Sequence, residues 1–344
     1  MTQARESAAS VAAYCLQFLR ESALQVGDDE LVEIEHGFAW WPGPVRQVVT
    51  AEPLGALPAD AVEVSIRTDV WRDADPMDPV LAVMRNRGIA SAVIVTDGLV
   101  QIDTTLIVFP EIVGWQTQLL SWCGALQIDQ AQAFLDDACF GLGGVPATSA
   151  RDGGDPKTEW DTLTGVRGVL ADNGAAVADE VLAPAVLAAT VDQMRLHTFR
   201  EVSSEPVDHP DAAGVWSVDR PWTALPREAR ESPLGEMTVR SYVALEAVHP
   251  VMGRGFGIRT LFPLPVEDAI SARMIAGLNS IHPLRSVRIG SWMPVDDGLI
   301  VQTFLPAGML SGDRPGSLAN VLSYHERMLW PALELYIDLT PDED

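Results

Sequence analysis

Val64-Ser65-Ile66-Arg67-Thr68 in the first half of the chain is answered by Gly255-Phe256-Gly257-Ile258-Arg259-Thr260 in the second. In the same way, Thr96-Asp97-Gly98-Leu99-Val100-Gln101 is answered by Asp296-Asp297-Gly298-Leu299-Ile300-Val301-Gln302. Around both pairs the order is extended segment, helix-like segment, Asp-Gly hairpin and long amphipathic helix. A repeat of roughly 150 residues is too long for a solenoid unit and predicts two copies of one α/β domain packed as a pseudo-dimer.

Outward from these phrases, residues 5–25 carry Val11, Tyr14, Cys15, Phe18 and Leu19 at helical spacing. Phe38-Ala39-Trp40-Trp41 runs through Pro42-Gly43-Pro44, a turn signal, into Val45-Arg46-Gln47-Val48-Val49. Val62, Val64, Ile66 and Thr68 alternate with polar residues, the period of a half-buried strand. Asp78-Pro79 opens a helix that Gly88 ends. Asp97-Gly98 is a two-residue hairpin signal, because both central positions of a type I′ turn need positive φ. A long helix with Ile112, Trp115, Leu119, Trp122, Leu126 and Phe134 follows. The first domain therefore reads α-β-β-β-α-β-β-α over residues 1–140.

Residues 141–161, rich in Gly, read as an interdomain linker. The second domain spans 162–344, opening with helix to about 199 that is broken or kinked at Pro184. An irregular, exposed insertion is expected at about 201–235, where Pro, Ser, Glu and Asp concentrate. Val239-Arg240-Ser241-Tyr242-Val243 then matches Val45-Arg46-Gln47-Val48-Val49. Helices at 267–278 and 318–339 complete the pattern, the first with Ile270, Met274, Ile275 and Leu278 inward. The fold class is α+β, with antiparallel sheets flanked by long helices.

At 344 residues and 47% apolar content the chain supports two cores. Its net charge of -25 divides evenly, with 20 acids against 7 bases in residues 1–150 and 28 against 16 in the remainder. That field repels phosphate backbones and anionic membrane surfaces, so neither direct nucleic-acid binding nor membrane binding is expected. Lys157 is the single lysine, which excludes a P-loop and disfavours Schiff-base chemistry. Cys15, Cys123 and Cys139 show no metal spacing and read as reduced, buried thiols. With no secretory pattern at the N-terminus and no apolar run of membrane-spanning length, a cytoplasmic address is expected.

No catalytic motif, metal cage or cofactor cradle is present, and no cofactor is expected. His325-Glu326 lacks the second His of a zinc helix and reads as a surface dipeptide. His249 and His282 sit near prolines at segment ends. Asp208-His209-Pro210-Asp211 offers three ligands but lies in a Pro-rich stretch that favours turns. Arg67 and Arg259 recur within the repeat and point away from Ile66 and Ile258, which makes them candidates for a shared polar role. Trp40 and Trp41 cannot both face one side of a strand, so one of them approaches the surface or packs under a loop, and an exposed Trp at a sheet edge would anchor a peptide.

The repeated element order and the acidity resemble the type III secretion chaperone-like fold, including YbjN-type proteins, and more distantly the EspG chaperones of mycobacterial type VII secretion. The segment Gly37-Phe38-Ala39-Trp40-Trp41-Pro42 and the Arg-rich, Lys-poor composition look like those of actinobacterial proteins. The resemblance implies a non-enzymatic adaptor that binds a partner protein segment, as a homodimer or as an intramolecular pseudo-dimer. Trp40, Trp41, Arg67, Arg259 and Trp292 are the expected partner-binding residues. Two other readings stand beside it: an enzyme with a dispersed site, with or without a metal, near Asp208, His209 and Asp211, and an acidic decoy for a nucleic-acid-binding protein.

Overall fold

The computed structural model describes residues 7–25, 31–54, 61–73, 91–136, 144–160, 165, 184–198, 201–209, 212–222, 237–249, 253–262, 266, 270, 273–275, 277–278, 289–295, 298–307 and 314–339. They form a mixed α+β protein whose chain divides into two compact units, each holding one antiparallel sheet. The helix expected at 78–88 lies outside the described residues, as do Cys139, Asp211 and His282.

In the first unit, α1 (Ala8–Gln25) is capped by Ser7, whose Oγ accepts from Ser10 N at 3.3 Å. Val11, Cys15 and Leu19 recur every four residues and are buried against the sheet. Strands β1 (Val32–Ile34), β2 (Gly37–Trp40), β3 (Gln47–Pro53), β4 (Val62–Arg72), β5 (Ala92–Thr96) and β6 (Leu99–Val108) lie in the order β1-β2-β3-β4-β6-β5. At the β5–β6 turn, Asp97 and Gly98 have φ of 51° and 78°, as a type I′ turn requires. A short 3-10 turn (Pro110–Ile112) leads into α2 (Val113–Asp136). Gln116 ties the start of α2 to the end of β6, accepting from Phe109 N at 2.7 Å and donating to Ile107 O at 2.8 Å.

The 141–161 stretch does not read as free linker. Its described part carries β7 (Val145–Pro146), which pairs with β4. Ser149 Oγ accepts from the Trp41 indole at 3.1 Å, and Lys157 donates to Trp41 O. Trp160 packs on the cluster of Val45, Val70, Val93, Ile102 and Phe134. Glycines signal a turn-rich path, and here that path runs along a strand and a core edge.

In the second unit, Pro184 is the first residue of α3 (Pro184–Thr198), a position where proline costs no hydrogen bond; the helical stretch expected before it lies, apart from residue 165, outside the described residues. The 201–235 region is not irregular where it is described. It holds β8 (Ser203–His209) and β9 (Ala212–Trp222), a hairpin of the main sheet. With β10 (Met237–His249), β11 (Gly253–Leu261), β12 (Ser291–Val295) and β13 (Gly298–Pro306), the order is β8-β9-β10-β11-β13-β12. This path matches that of the first sheet, with four strands before the hairpin instead of the three expected. The prolines and acids of 201–222 suit an edge strand, which sequence composition alone presents as loop. Val295 pairs with Gly298, so Gly298 sits within β13 at φ 139°, one residue beyond the position that Gly98 takes. Met274, Ile275 and Leu278 are buried as their spacing requires, and α4 (Arg314–Leu339) closes the chain. No helix among the described residues is long and apolar enough to cross a membrane.

Candidate functional site

The repeated Thr of the opening phrase anchors matching polar clusters on the helix-facing side of each sheet. In the first unit, Gln47 lies across the ladder from Thr68, and Thr104 across from Ile66. Gln47 Nε2 donates to Thr68 Oγ1 at 2.8 Å, and Thr68 Oγ1 donates to Gln127 Oε1 at 2.9 Å. Gln127 Nε2 donates to Thr104 Oγ1 at 3.1 Å and to Ile66 O at 3.0 Å. A helix amide thus bridges two strand threonines, all of them out of solvent.

In the second unit Ser241 lies across from Thr260, and Thr303 across from Ile258, the same register. His325 of α4 takes the place of Gln127. Its Nδ1 is 2.9 Å from Thr260 Oγ1 and its Nε2 is 2.8 Å from Thr303 Oγ1. The surface position expected for His325 is overturned: the ring is fully buried. Burial first, and the Arg220 charge second, push its pKa down to about 3, which keeps it neutral. Arg220, also buried, donates to Glu326 at 3.0 Å, Ser241 Oγ at 3.0 Å and Leu322 O at 3.0 Å. This is a closed structural network with each partner hydrogen-bonded.

The difference between the units lies three residues before each bridging side chain. Gly124 stands before Gln127, and Leu322 before His325. Both carbonyls accept from the sheet side, Gly124 O from Gln47 Nε2 at 3.0 Å and Leu322 O from Arg220. Leu322 is buried. A methyl placed on Gly124 would sit 3.4 Å from Ile66 Cδ1 and 3.6 Å from Gln47 Oε1. Above Gly124 an open pocket of about 90 Å³ remains between α1, the sheet and α2. Leu19, Ala23, Phe38, Val49 and Ile128 wall it, Trp40 closes one side, and Ser22, Gln25 and Ser121 stand at its mouth. The Trp40 indole donates to Gln47 Oε1 at 2.8 Å, so the polar groups of the floor are engaged and the pocket offers chiefly apolar surface.

Of the residues named from sequence, Trp40, Trp41 and Trp292 are core residues, exposed by 3%, 8% and 3%. Only Trp40 lines the pocket, as an inner wall and not as a projecting anchor. Trp41 packs under the loop bearing Ser149, and Trp292 meets Phe262 edge to face at 6.5 Å. Arg67 lies on the opposite sheet face, where its Nε donates to the buried Asp103 at 2.9 Å. Arg259 is exposed and faces Gln302 across the ladder in place of a carboxylate. The two arginines therefore share a register position but not a set of partners. Asp208 and His209 end β8, with Asp208 exposed, and among the described residues no group of three or more His, Cys, Asp or Glu is placed to hold a metal ion. Burial raises the Cys15 and Cys123 thiols to about 12, which makes them inert.

Gly124, Gln127 and Gln47 escaped the sequence reading. The usable signal was the Gln47/Ser241 and Thr68/Thr260 correspondence within the repeat, which marks polar residues on a face that should be apolar. No protein-family model matches the chain, and no curated protein or solved structure matches it.

Proposed function

We propose that the chain is a non-enzymatic, cytoplasmic adaptor of secretion-chaperone type, built as a tandem duplication, which binds a segment of a partner protein. The observation that carries the reading is the open apolar pocket over Gly124 in the first unit. A concave site between two helices and a sheet suits a side chain that projects from a partner segment. The shared strand order and register of the two sheets support the duplication. The buried polar groups nearest the pocket are engaged in holding helix to sheet, a structural use that leaves binding to the apolar walls.

The test is affinity capture from the cytoplasm of the source cells with the wild-type chain and with Gly124→Leu, followed by protein mass spectrometry and metal analysis. A stoichiometric protein present with wild type and lost with Gly124→Leu supports the reading. Equal capture by both chains refutes the site, and a sample that carries a tightly held metal or small molecule without protein refutes the function.

A further inference from the structure

We infer that the Gly124 pocket takes one branched aliphatic side chain, leucine or isoleucine, from a basic segment of the partner, and that the second unit is plugged by its own Leu322. The inference rests on the partner-binding reading and names the chemistry of the bound segment.

The molecule supplies its own precedent for the occupant. Gly124 and Leu322 occupy one topological position, each three residues before a side chain that bridges the equivalent threonines. Each also offers its carbonyl to a donor from the sheet. In the second unit an isobutyl group fills that position and is buried. In the first, removal of that side chain leaves about 90 Å³ of open space beside Ile66, Leu19 and Ile128. The engaged floor amide would leave a polar tip poorly partnered.

The sign of the flanking charge follows from the chain's own field. Residues 1–150 alone carry 20 acids against 7 bases. The nearby cation, Arg20, is committed to Glu33 at 2.7 Å and to the Phe38 ring at 5.4 Å. Electrostatic complementarity then selects Lys- and Arg-bearing segments and repels acidic ones.

The experiment uses the full chain and fluorescein-labelled peptides of about twelve residues, the length of a short docking motif. One peptide carries Lys, Arg and Ser around a central Leu, the second replaces that Leu with Ser, and the third replaces the basic residues with Asp and Glu. Anisotropy titrations are expected to show one site per chain for the first peptide, with affinity falling as salt rises. Leu→Ser should weaken binding about tenfold or more, the loss expected for one buried aliphatic side chain. Gly124→Leu should cause a similar loss, and Gly124→Ala, a milder filling that retains the fold, an intermediate one. Equal binding of all three peptides, with loss in Gly124→Leu, overturns the leucine and charge assignment while the pocket stays a partner site. Binding unchanged in Gly124→Leu and Gly124→Ala overturns the site itself, and so does the absence of saturable binding by any peptide.

Discussion

His325→Gln should remove one source of acid sensitivity from the second unit, because the first unit already shows the amide solution to the same geometry. In the first unit Thr68 donates to Gln127 Oε1 at 2.9 Å and Gln127 Nε2 donates to Thr104 at 3.1 Å. His325 makes the equivalent bridge at 2.9 and 2.8 Å. Its folded-state pKa is lowered to about 3 from the ordinary 6.5. As pH falls below 6.5 the unfolded chain takes up a proton that the folded chain refuses, so stability declines until the folded pKa near 3 is reached. At pH 5 the loss relative to neutral pH is about 2 kcal/mol, from ~1.4 kcal/mol per pH unit over about 1.5 units. Gln does not titrate, so the variant should keep that share. The assay is hydrogen exchange of β11 and β13 amides at pH 7 and pH 5, corrected for intrinsic rates, with β4 and β6 as the internal control. Wild type should lose β11 and β13 protection by about 2 kcal/mol more than His325→Gln does. Equal losses in the two proteins would refute the neutral, buried histidine.

Arg220→Ala should cost about 3–5 kcal/mol in urea unfolding, because it removes the cation paired with Glu326 and the donor to the Leu322 carbonyl. The pair Arg220→Met with Glu326→Gln should cost distinctly less; equal costs would contradict the charge argument. Gly124→Ala should raise stability by about 1 kcal/mol, since a helix-interior glycine gains propensity and the added methyl meets Ile66 at 3.4 Å. A lower urea midpoint would show that the pocket cannot admit even that group. Gly43→Ala should cost about 1–3 kcal/mol and expose Trp160, whose Cε3 would lie 2.7 Å from the new methyl. Unchanged quenching of tryptophan fluorescence by iodide would count against it.

The two-sheet α+β class was legible because strands β3, β4, β10 and β11 advertise themselves by alternation and by repeating one phrase. What failed had specific physical causes. Ser203–Trp222 was read as loop because acids and three prolines crowd an edge hairpin, where composition is tuned against edge pairing and not for burial. The Asp-Gly match placed Gly298 in a turn, whereas the ladder puts it inside β13, a one-residue slip that pattern matching cannot see. His325 looked like a surface residue because Glu326 follows it, yet adjacent helix positions point about 100° apart, and Glu326 is itself drawn to Arg220. Gly124 left no trace at all. A helix-interior glycine acquires meaning only once the opposing strand residues are known.

Those strand residues show how the two units solve one packing problem in opposite ways. In the first, the ladder pair Trp40 and Gln47 is large and the helix position is Gly124. In the second, the equivalent pair Val218 and Ser241 is small and the helix position is Leu322. Volume moved from helix to sheet would cancel if the cores were packed to equal density. It does not cancel, because the Trp40 indole is turned toward Gln47 Oε1 at 2.8 Å and both Gln47 Nε2 hydrogens are held, by Thr68 and the Gly124 carbonyl. Those bonds pin the two large side chains to the floor and wall, and the space above Gly124 stays open. Loosening them, as Gln47→Leu would, should let Trp40 repack over Gly124, shrinking the pocket and lowering affinity for the leucine-bearing peptide about tenfold, the worth of one buried aliphatic side chain. Unchanged affinity would mean that the opening does not depend on the hydrogen bonds beneath it.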